Sequence, residues 1–315
     1  MLPRLTLPQY RDGILARDRA TLARALTVIE SDLAADQLLA QALLAELLPY
    51  TGRSLRLGIT GVPGAGKSTL IEALGQHIAQ PLAVLSVDPS SPATGGSILG
   101  DKTRMETLAQ SPHAFIRPSP ARGHLGGVAS HTRESILLCE AAGYEVILVE
   151  TVGVGQSETA VHQMTDCFLL LLLPGAGDEL QGLKRGILEL SDLLVVNKAD
   201  GDNKSRAIQA QRAYSSALHL FAATAPPVLT CSALTKEGVP ELWQTIQAKA
   251  DRARRPSQVF EWFEELLRQA LWREFHAIPA VQQLRAQLEQ SLREGVLTPP
   301  QAVAEILRRA KEKYF

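Results

Sequence analysis

The chain has 315 residues, 45% of them hydrophobic and 21% charged, so it can bury a sizeable core in one large domain with extensions or in two domains. Its formal net charge of −1 argues against a nucleic-acid-binding surface or a basic membrane patch, and we expect neither nucleic acid nor a membrane as a partner. Three scattered cysteines without a C-x-x-C pair, and no recognisable secretory leader, favour a reducing, cytoplasmic location.

Residues 1–52 are predicted to form an N-terminal helical extension, because apolar residues recur there at helical spacing, as at Leu22, Ala25, Leu26 and Ile29. Thr21 and Ser31 are the expected N-caps. We interpret the apolar stripe as core packing, with a partner surface as the alternative.

From residue 53 to residue 250, short apolar strands alternate with helices. The predicted strands are 55–60, 82–87, 145–150, 167–173, 193–196 and 228–231. Helices between successive strands indicate an α/β fold with a mostly parallel sheet flanked by helices on both faces. In such sheets ligands bind beyond the carboxyl ends of the strands, so the residues that follow each strand are the candidates for function.

The first strand is followed by G-V-P-G-A-G-K-S and then by the start of a helix, which is the context of a phosphate-binding P-loop. Glycines let backbone N–H groups turn around phosphate oxygens, and the helix points its positive end at the same anion. We expect Lys67 to reach the β- and γ-phosphates and Ser68 to hold Mg²⁺. The expected nucleotide contacts are Gly61, Val62, Pro63, Gly64, Ala65, Gly66, Lys67, Ser68 and Thr69.

The strand at 193–196 runs into Asn197-Lys198-Ala199-Asp200, the N-K-x-D arrangement of guanine-nucleotide proteins. The carboxylate of Asp200 can accept both the N1–H and the 2-amino group of guanine, whereas adenine offers no such pair of donors. Asn197 is expected to tie this loop to the P-loop, and the Lys198 stem to cover the face of the base.

A second base contact is expected after the strand at 228–231. The backbone N–H groups of Ser232, Ala233 and Leu234 could donate to guanine O6. This tripeptide is a weak signal alone and gains weight from following N-K-x-D.

Acidic residues at strand ends are the candidates for a metal site. Asp88 follows the strand at 82–87, and Glu150 ends the strand at 145–150, so both could hold Mg²⁺ directly or through its water ligands. Asp101 lies in a glycine-bearing loop between these strands, and we interpret that loop as a nucleotide-sensing switch that supplies a further Mg²⁺ ligand. Gly153 could donate its backbone N–H to a γ-phosphate.

No pattern marks the residue that orients the attacking water. Gln156 is the candidate that we add to Lys67 and Glu150 as catalytic groups, with a surface glutamine as the alternative. Arg104, Arg117 and Arg122 could each offer charge to the transition state, and none stands out.

Residues 251–315 are predicted to be helical. A wide apolar stripe runs from Val259 to Phe275, Pro279 ends that helix, and the last helix begins at Pro299 or Pro300. Such a helix cannot bury its apolar face alone, so we interpret the segment as a C-terminal dimerisation arm of a homodimer, with packing on the main domain as the alternative.

Several long motifs resemble one family. V-D-P-S-S, G-G-S-I-L-G-D-K-T-R-M, E-T-V-G-V-G-Q-S-E and P-G-A-G-D-E-L-Q-G-L-K-R-G, with the P-loop and N-K-A-D, closely resemble the MeaB/ArgK/MMAA type of P-loop GTPases over roughly residues 10–275. The resemblance implies a P-loop NTPase of the signal-recognition and metallochaperone GTPase branch that binds GTP or GDP with Mg²⁺. It assigns Asp88, Asp101 and Glu150 to the metal and switch apparatus and 174–185 to a third switch.

The same resemblance implies a partner, an adenosylcobalamin-dependent acyl-CoA mutase such as methylmalonyl-CoA mutase. The chain would be a chaperone whose slow GTP hydrolysis, accelerated by the mutase, gates the loading of intact cofactor and the removal of damaged cofactor. The competing hypotheses are a kinase linked to basic amino-acid transport, a nickel-insertion metallochaperone GTPase, and an adaptor that binds GTP without turnover.

Overall fold

A computed structural model of the chain describes residues 4–87, 105–117, 125–151, 158–175, 185–221 and 225–314. The chain divides into two compact units, Met1–Arg255 and Pro256–Phe315. No helix in these described ranges is long and apolar enough to cross a bilayer.

The first unit is built on a sheet of seven strands, all paired in parallel, in the order β3-β2-β4-β1-β5-β6-β7. The α/β fold predicted from the alternation of strands and helices is confirmed. The strands are β1 (Leu55–Gly61), β2 (Leu82–Val87), β3 (Ala114–Arg117), β4 (Val146–Thr151), β5 (Cys167–Leu172), β6 (Leu193–Val196) and β7 (Val228–Thr230).

Ten helices precede residue 250 in the described part of this unit, and short 3-10 turns lie at Leu48–Tyr50, Gly201–Asn203 and Arg252–Arg254. The helices are α1 (Leu7–Leu15), α2 (Arg19–Ile29), α3 (Ala34–Leu47), α4 (Lys67–His77), α5 (Glu106–Gln110), α6 (Leu125–Ala141), α7 (Glu158–His162), α8 (Arg185–Leu190), α9 (Lys204–Phe221) and α10 (Val239–Lys249).

The three N-terminal helices are part of the core of this unit. Their fully buried Ile14, Leu26 and Leu43 share one apolar cluster with Ile147 of β4 and Phe168 of β5. Burial of one such side chain contributes about 1.5–3 kcal/mol relative to exposure, so a helix with several of them is firmly held. Helices α4 and α10 contribute to the cluster on the opposite face, and α9 packs on β5 and β6.

The structure corrects three local expectations. Strand β3 is absent from the predicted strands; it consists of A-F-I-R, three apolar residues that run directly into a charged one, and pairs only with β2. Helix α2 is capped by Asp18, whose carboxylate accepts the N–H groups of Ala20 and Thr21, so Thr21 lies inside the first turn. Leu33, and not Ser31, is the N-cap position of α3.

Paired arginines and carboxylates lie at the amino edge of the sheet. Arg255 donates to both oxygens of Asp166 at 2.6 Å, and Arg56 donates to both oxygens of Glu140 at 2.9 Å. Arg254 binds Asp192 in the same two-pronged way, at 2.8 and 3.2 Å. Asp166 and Glu140 have fully buried side chains, so these pairs are the kind in which loss of one partner is costly.

The second unit consists of α11, which begins at the end of the first unit (Arg255–Ala277), α12 (Pro279–Arg293) and α13 (Pro299–Tyr314). A small core of Leu284, Leu288 and Ala302 joins α12 to α13. Helix α11 leaves large apolar side chains exposed, with Phe260 62% and Trp272 66% accessible. These side chains form an unburied apolar surface.

Candidate nucleotide site

The P-loop connects the carboxyl end of β1 to the first turn of α4. Its three glycines have positive φ values, 151° at Gly61, 82° at Gly64 and 93° at Gly66. A Cβ atom at Gly61 would lie 2.4 Å from the carbonyl oxygen of Leu171, and one at Gly66 would lie 2.6 Å from Nδ2 of Asn197. Both space and backbone conformation therefore require glycine at Gly61 and Gly66.

The ammonium group of Lys67 is held within the P-loop. The residue is only 8% exposed, and its Nζ donates to the carbonyl oxygens of Gly61 at 2.7 Å and Val62 at 3.3 Å. The positive charge therefore lies inside the curve of the loop, at the N-terminus of α4, where the helix dipole also favours an anion.

Ser68 and Glu150 meet beside the P-loop. The Ser68 hydroxyl donates to Oε1 of Glu150 at 3.1 Å, and both residues are buried. Register places Glu150 of β4 between Ile59 of β1 and Ser86 of β2, so it lies within its strand near the carboxyl edge. A hydroxyl and a carboxylate are hard oxygen ligands of the type that Mg²⁺ prefers, so these two side chains fit such an ion.

Asn197 joins the P-loop to the loop after β7. The N-K-x-D pattern led us to expect the first of these contacts but not the second. Its Nδ2 donates to the carbonyl oxygen of Ala65 at 2.8 Å, and its Oδ1 accepts the N–H of Ala233 at 3.0 Å. The side chain is buried, with the residue 1% exposed. One amide therefore fixes two loops that are far apart in the sequence.

Asp200 is held at the same edge by a side-chain contact that the sequence did not suggest. The Ser232 hydroxyl donates to Oδ2 of Asp200 at 2.5 Å, and Ser232 Oγ accepts the N–H of Thr235 at 3.0 Å. Asp200 is partly exposed, so its carboxylate is both oriented and accessible. Neighbouring Lys198 is exposed and has a φ of 57°, in the left-handed region.

Two of the three backbone donors expected to bind guanine O6 already have protein acceptors. The N–H of Ser232 donates to the carbonyl oxygen of Glu237 at 2.9 Å, and the N–H of Ala233 donates to Asn197. Among the described residues, the N–H of Leu234 has no such acceptor. A contact of Ser232 or Ala233 with O6 therefore stays a prediction that requires a shared or exchanged hydrogen bond.

Several residues expected at the site lie outside the described part of the chain, namely Asp88, Asp101, Arg104, Arg122, Gly153 and Gln156. Arg117 is described, and its guanidinium binds Glu30 and Thr27 of the α2 region rather than the P-loop. Within the described ranges, no three His, Cys, Asp or Glu side chains gather closely enough to hold a metal ion.

Comparison with known proteins agrees with this geometry. A family model described as "Methylmalonyl Co-A mutase-associated GTPase MeaB" matches residues 22–279. The GTPase ArgK of Escherichia coli is 53% identical over 253 residues, which cover 78% of this chain and 76% of that protein. The mitochondrial methylmalonic aciduria type A homolog of Mus musculus is 42% identical, covering 96% of this chain and 79% of its own length.

A solved crystal structure, that of a protein named LAO/AO transport system kinase, has the same fold. It is 36% identical, has a TM-score of 0.76 and covers 99% of both chains. The resemblance drawn from the motifs is confirmed by these matches, of which the mouse protein and the solved structure cover nearly the full length of the chain. The chain is a GTPase and belongs to the MeaB family of methylmalonyl-CoA mutase-associated GTPases.

Proposed function

We propose that GTP binds at the carboxyl edge of the sheet and that its hydrolysis gates adenosylcobalamin loading and repair in methylmalonyl-CoA mutase or a related acyl-CoA mutase. The observation that carries the GTP site is the double contact of Asn197 with Ala65 and Ala233. This contact joins the P-loop, the proposed phosphate site, to the loop after β7, whose Ser232 holds Asp200, the proposed guanine-selecting carboxylate. The family description supports the mutase as the partner.

Different residues of the proposed site bind the phosphates and the base. Lys67 would exchange its contacts with the carbonyl oxygens of Gly61 and Val62 for the β- and γ-phosphates. Asp200, oriented by Ser232, would accept the two donors of guanine.

Ser68, Glu150, Asp88 and Asp101 are the proposed holders of Mg²⁺, which would supply neutralising charge to the phosphates. Gln156 remains the proposed group for orienting the attacking water, and Gly153 the proposed donor to the γ-phosphate. The assignments of Asp88, Asp101, Gln156 and Gly153 rest on the sequence.

The third switch is proposed to signal the nucleotide state to the mutase. It follows β5 directly, and Gly175 has a φ of 142°, which favours glycine and permits a sharp change of direction at the start of the segment. Strand β5 pairs with β1, so the switch begins beside the strand that ends in the P-loop.

Single-turnover GTP hydrolysis with and without purified methylmalonyl-CoA mutase tests the proposed function. We expect the mutase to accelerate phosphate release by the wild-type chain and to leave a Lys67→Ala variant inactive. Hydrolysis that no candidate mutase accelerates would contradict the gating role.

The solved structure named as a transport system kinase keeps one alternative open. Phosphate transferred from GTP to arginine or ornithine would support that kinase. Nickel-dependent dimerisation would instead support a nickel metallochaperone.

We further propose that the chain is a homodimer joined through α11. The support is the exposed apolar surface of that helix, including Phe260, Phe263, Leu271 and Trp272. Sedimentation of a chain truncated after residue 255 tests this. We expect a folded monomeric GTPase, and a dimer that persists in the truncated chain would refute the assignment.

We also propose a cytoplasmic location. The support is that Cys139, Cys167 and Cys231 are free thiols, as expected of a reducing compartment. Fractionation of cells that produce the tagged chain tests this proposal, and its appearance in a membrane or secreted fraction would contradict it.

A further inference from the structure

A cavity of about 720 Å³ opens at the amino edge of the sheet. Its lining includes Leu55 and Val146, the first residues of β1 and β4, whereas the P-loop follows the last residue of β1. The cavity therefore lies at the end of the sheet opposite to the nucleotide site. Its volume is within the range of about 300–1,000 Å³ that is typical of small-molecule sites.

Three arginines line this cavity, Arg17, Arg53 and Arg252. Their side chains form no hydrogen bond or ion pair with any described residue. Arg56, Arg254 and Arg255 at the same edge behave differently, because each donates to both oxygens of one carboxylate. The three cavity arginines therefore keep their N–H donors available for a ligand.

The cavity lining carries an excess of positive charge. Its two acidic residues are Glu140 and Glu145, and Glu140 is already neutralised by Arg56 and accepts the N–H of Gly52. The charges of the three arginines and of Glu145 then sum to a net charge of +2 in the lining. Helices α6 and α10 end nearby, and the partial negative charge of their C-termini disfavours an anion, so attraction of a negative ligand rests on the three arginines.

Arg17 lies against Gly143 in a left-handed backbone conformation. Its backbone has a φ of 60°, and its guanidinium packs so closely on Gly143 that a Cβ atom there would lie 2.6 Å from Nε and Nη2. Gly143 itself has a φ of 77°, so its backbone conformation favours glycine. Tyr50, Tyr144 and Trp243 supply aromatic surface in the lining.

We propose that this cavity binds a small organic phosphate of up to nucleotide size, at a site separate from the GTP site. A guanidinium fork matches phosphate oxygens in two-pronged geometry, and an aromatic wall suits a planar ring. The partly enclosed shape favours a small molecule over an acidic segment of a partner protein.

Calorimetric titration of the full-length chain saturated with GDP and Mg²⁺ tests this proposal, because GDP then blocks the P-loop. The probes are adenosine 5′-monophosphate, adenosine as the uncharged match, inorganic pyrophosphate, and an acidic peptide. We expect the monophosphate to bind at least about tenfold more tightly than adenosine. An Arg53→Gln/Arg252→Gln double variant should lose at least about tenfold in affinity for the monophosphate and for pyrophosphate.

The matched control is Arg206→Gln/Arg212→Gln, which removes two exposed arginines from α9 and should bind like the wild type. Tyr50→Leu tests the aromatic wall and should weaken the monophosphate but not pyrophosphate.

Four results would overturn the proposal. They are no binding, equal binding of adenosine and its monophosphate, binding unchanged in the Arg53/Arg252 variant, and tighter binding of an acidic peptide than of the phosphates. None of them bears on the GTP site, since GTP hydrolysis by the same variants is measured separately and is expected to stay at the wild-type rate.

Discussion

Asn197 is the side chain on which the assembly of the nucleotide site most depends. Substitution by alanine removes the donor to the carbonyl oxygen of Ala65 and the acceptor of the Ala233 N–H. Both backbone groups lie in a buried setting, and no other described partner is in place for either side-chain bond. We therefore expect Asn197→Ala to destabilise the first unit and to separate the P-loop from the base-binding loop.

The magnitude follows from the number of groups left unsatisfied. A buried donor or acceptor without a partner costs about 1–3 kcal/mol, so the two together cost roughly 2–6 kcal/mol. For a domain of this size about 1 kcal/mol shifts the melting temperature by roughly 2–4 °C. A loss of about 3 kcal/mol would then lower the transition of the first unit by roughly 6–12 °C.

Thermal unfolding with and without GDP and Mg²⁺ measures both effects. Bound nucleotide stabilises the folded state in proportion to the logarithm of the ratio of ligand concentration to Kd. A weakened site therefore gives a smaller rise in melting temperature at the same GDP concentration. We expect the variant to lose stability without GDP and to lose most of the GDP-induced shift as well.

Asn203→Ala is the matched control, because it makes the same substitution in the surface 3-10 turn Gly201–Asn203, and it should stay within about 0.5 kcal/mol of the wild type. The reasoning would be refuted if Asn197→Ala had the same melting temperature as Asn203→Ala and bound GDP with an unchanged Kd.

Three further changes test other parts of the structure. Lys67→Ala removes the cation at the phosphates and should lower GTP hydrolysis by about 100-fold or more in a phosphate-release assay; wild-type rates would refute its role. Asp200→Asn should weaken GTP by about tenfold or more and favour xanthosine triphosphate, which has an acceptor where guanine has a donor; unchanged calorimetric affinities for both would show that Asp200 does not select the base. Arg255→Met leaves the buried carboxylate of Asp166 without its guanidinium partner. The free energy of unfolding, measured with denaturant, should fall by about 3–5 kcal/mol. The exposed pair broken by Arg285→Met should cost no more than about 1 kcal/mol, and equal losses would contradict this account.

The sequence predicts the features of this site that are local. The P-loop is one continuous segment with its strand and helix, so residue types alone indicate its backbone geometry. Six of the seven strands are apolar runs, and the sequence places both ends of each to within about one residue. Strand β3 escapes prediction because A-F-I-R has only three apolar residues, which run directly into a charged one; its length alone is not the reason, since the shorter edge strand β7 was predicted.

Features that depend on tertiary contacts could not be predicted. The Ser232 hydroxyl on Asp200 joins two loops whose approach depends on the pairing of β6 with β7. The same pairing brings the N–H of Ala233 to Oδ1 of Asn197, whereas the sequence led us to expect that this N–H would be available for guanine. The arginine-lined cavity joins turns from the beginning, middle and end of the first unit, so no stretch of sequence contains its pattern.

The two bonds of Asn197 also bear on how the protein is made. The P-loop is synthesised early, but the amide that holds Ala65 is itself held by Ala233. A nascent chain therefore cannot complete its guanine-nucleotide site until Ala233 has emerged from the ribosome.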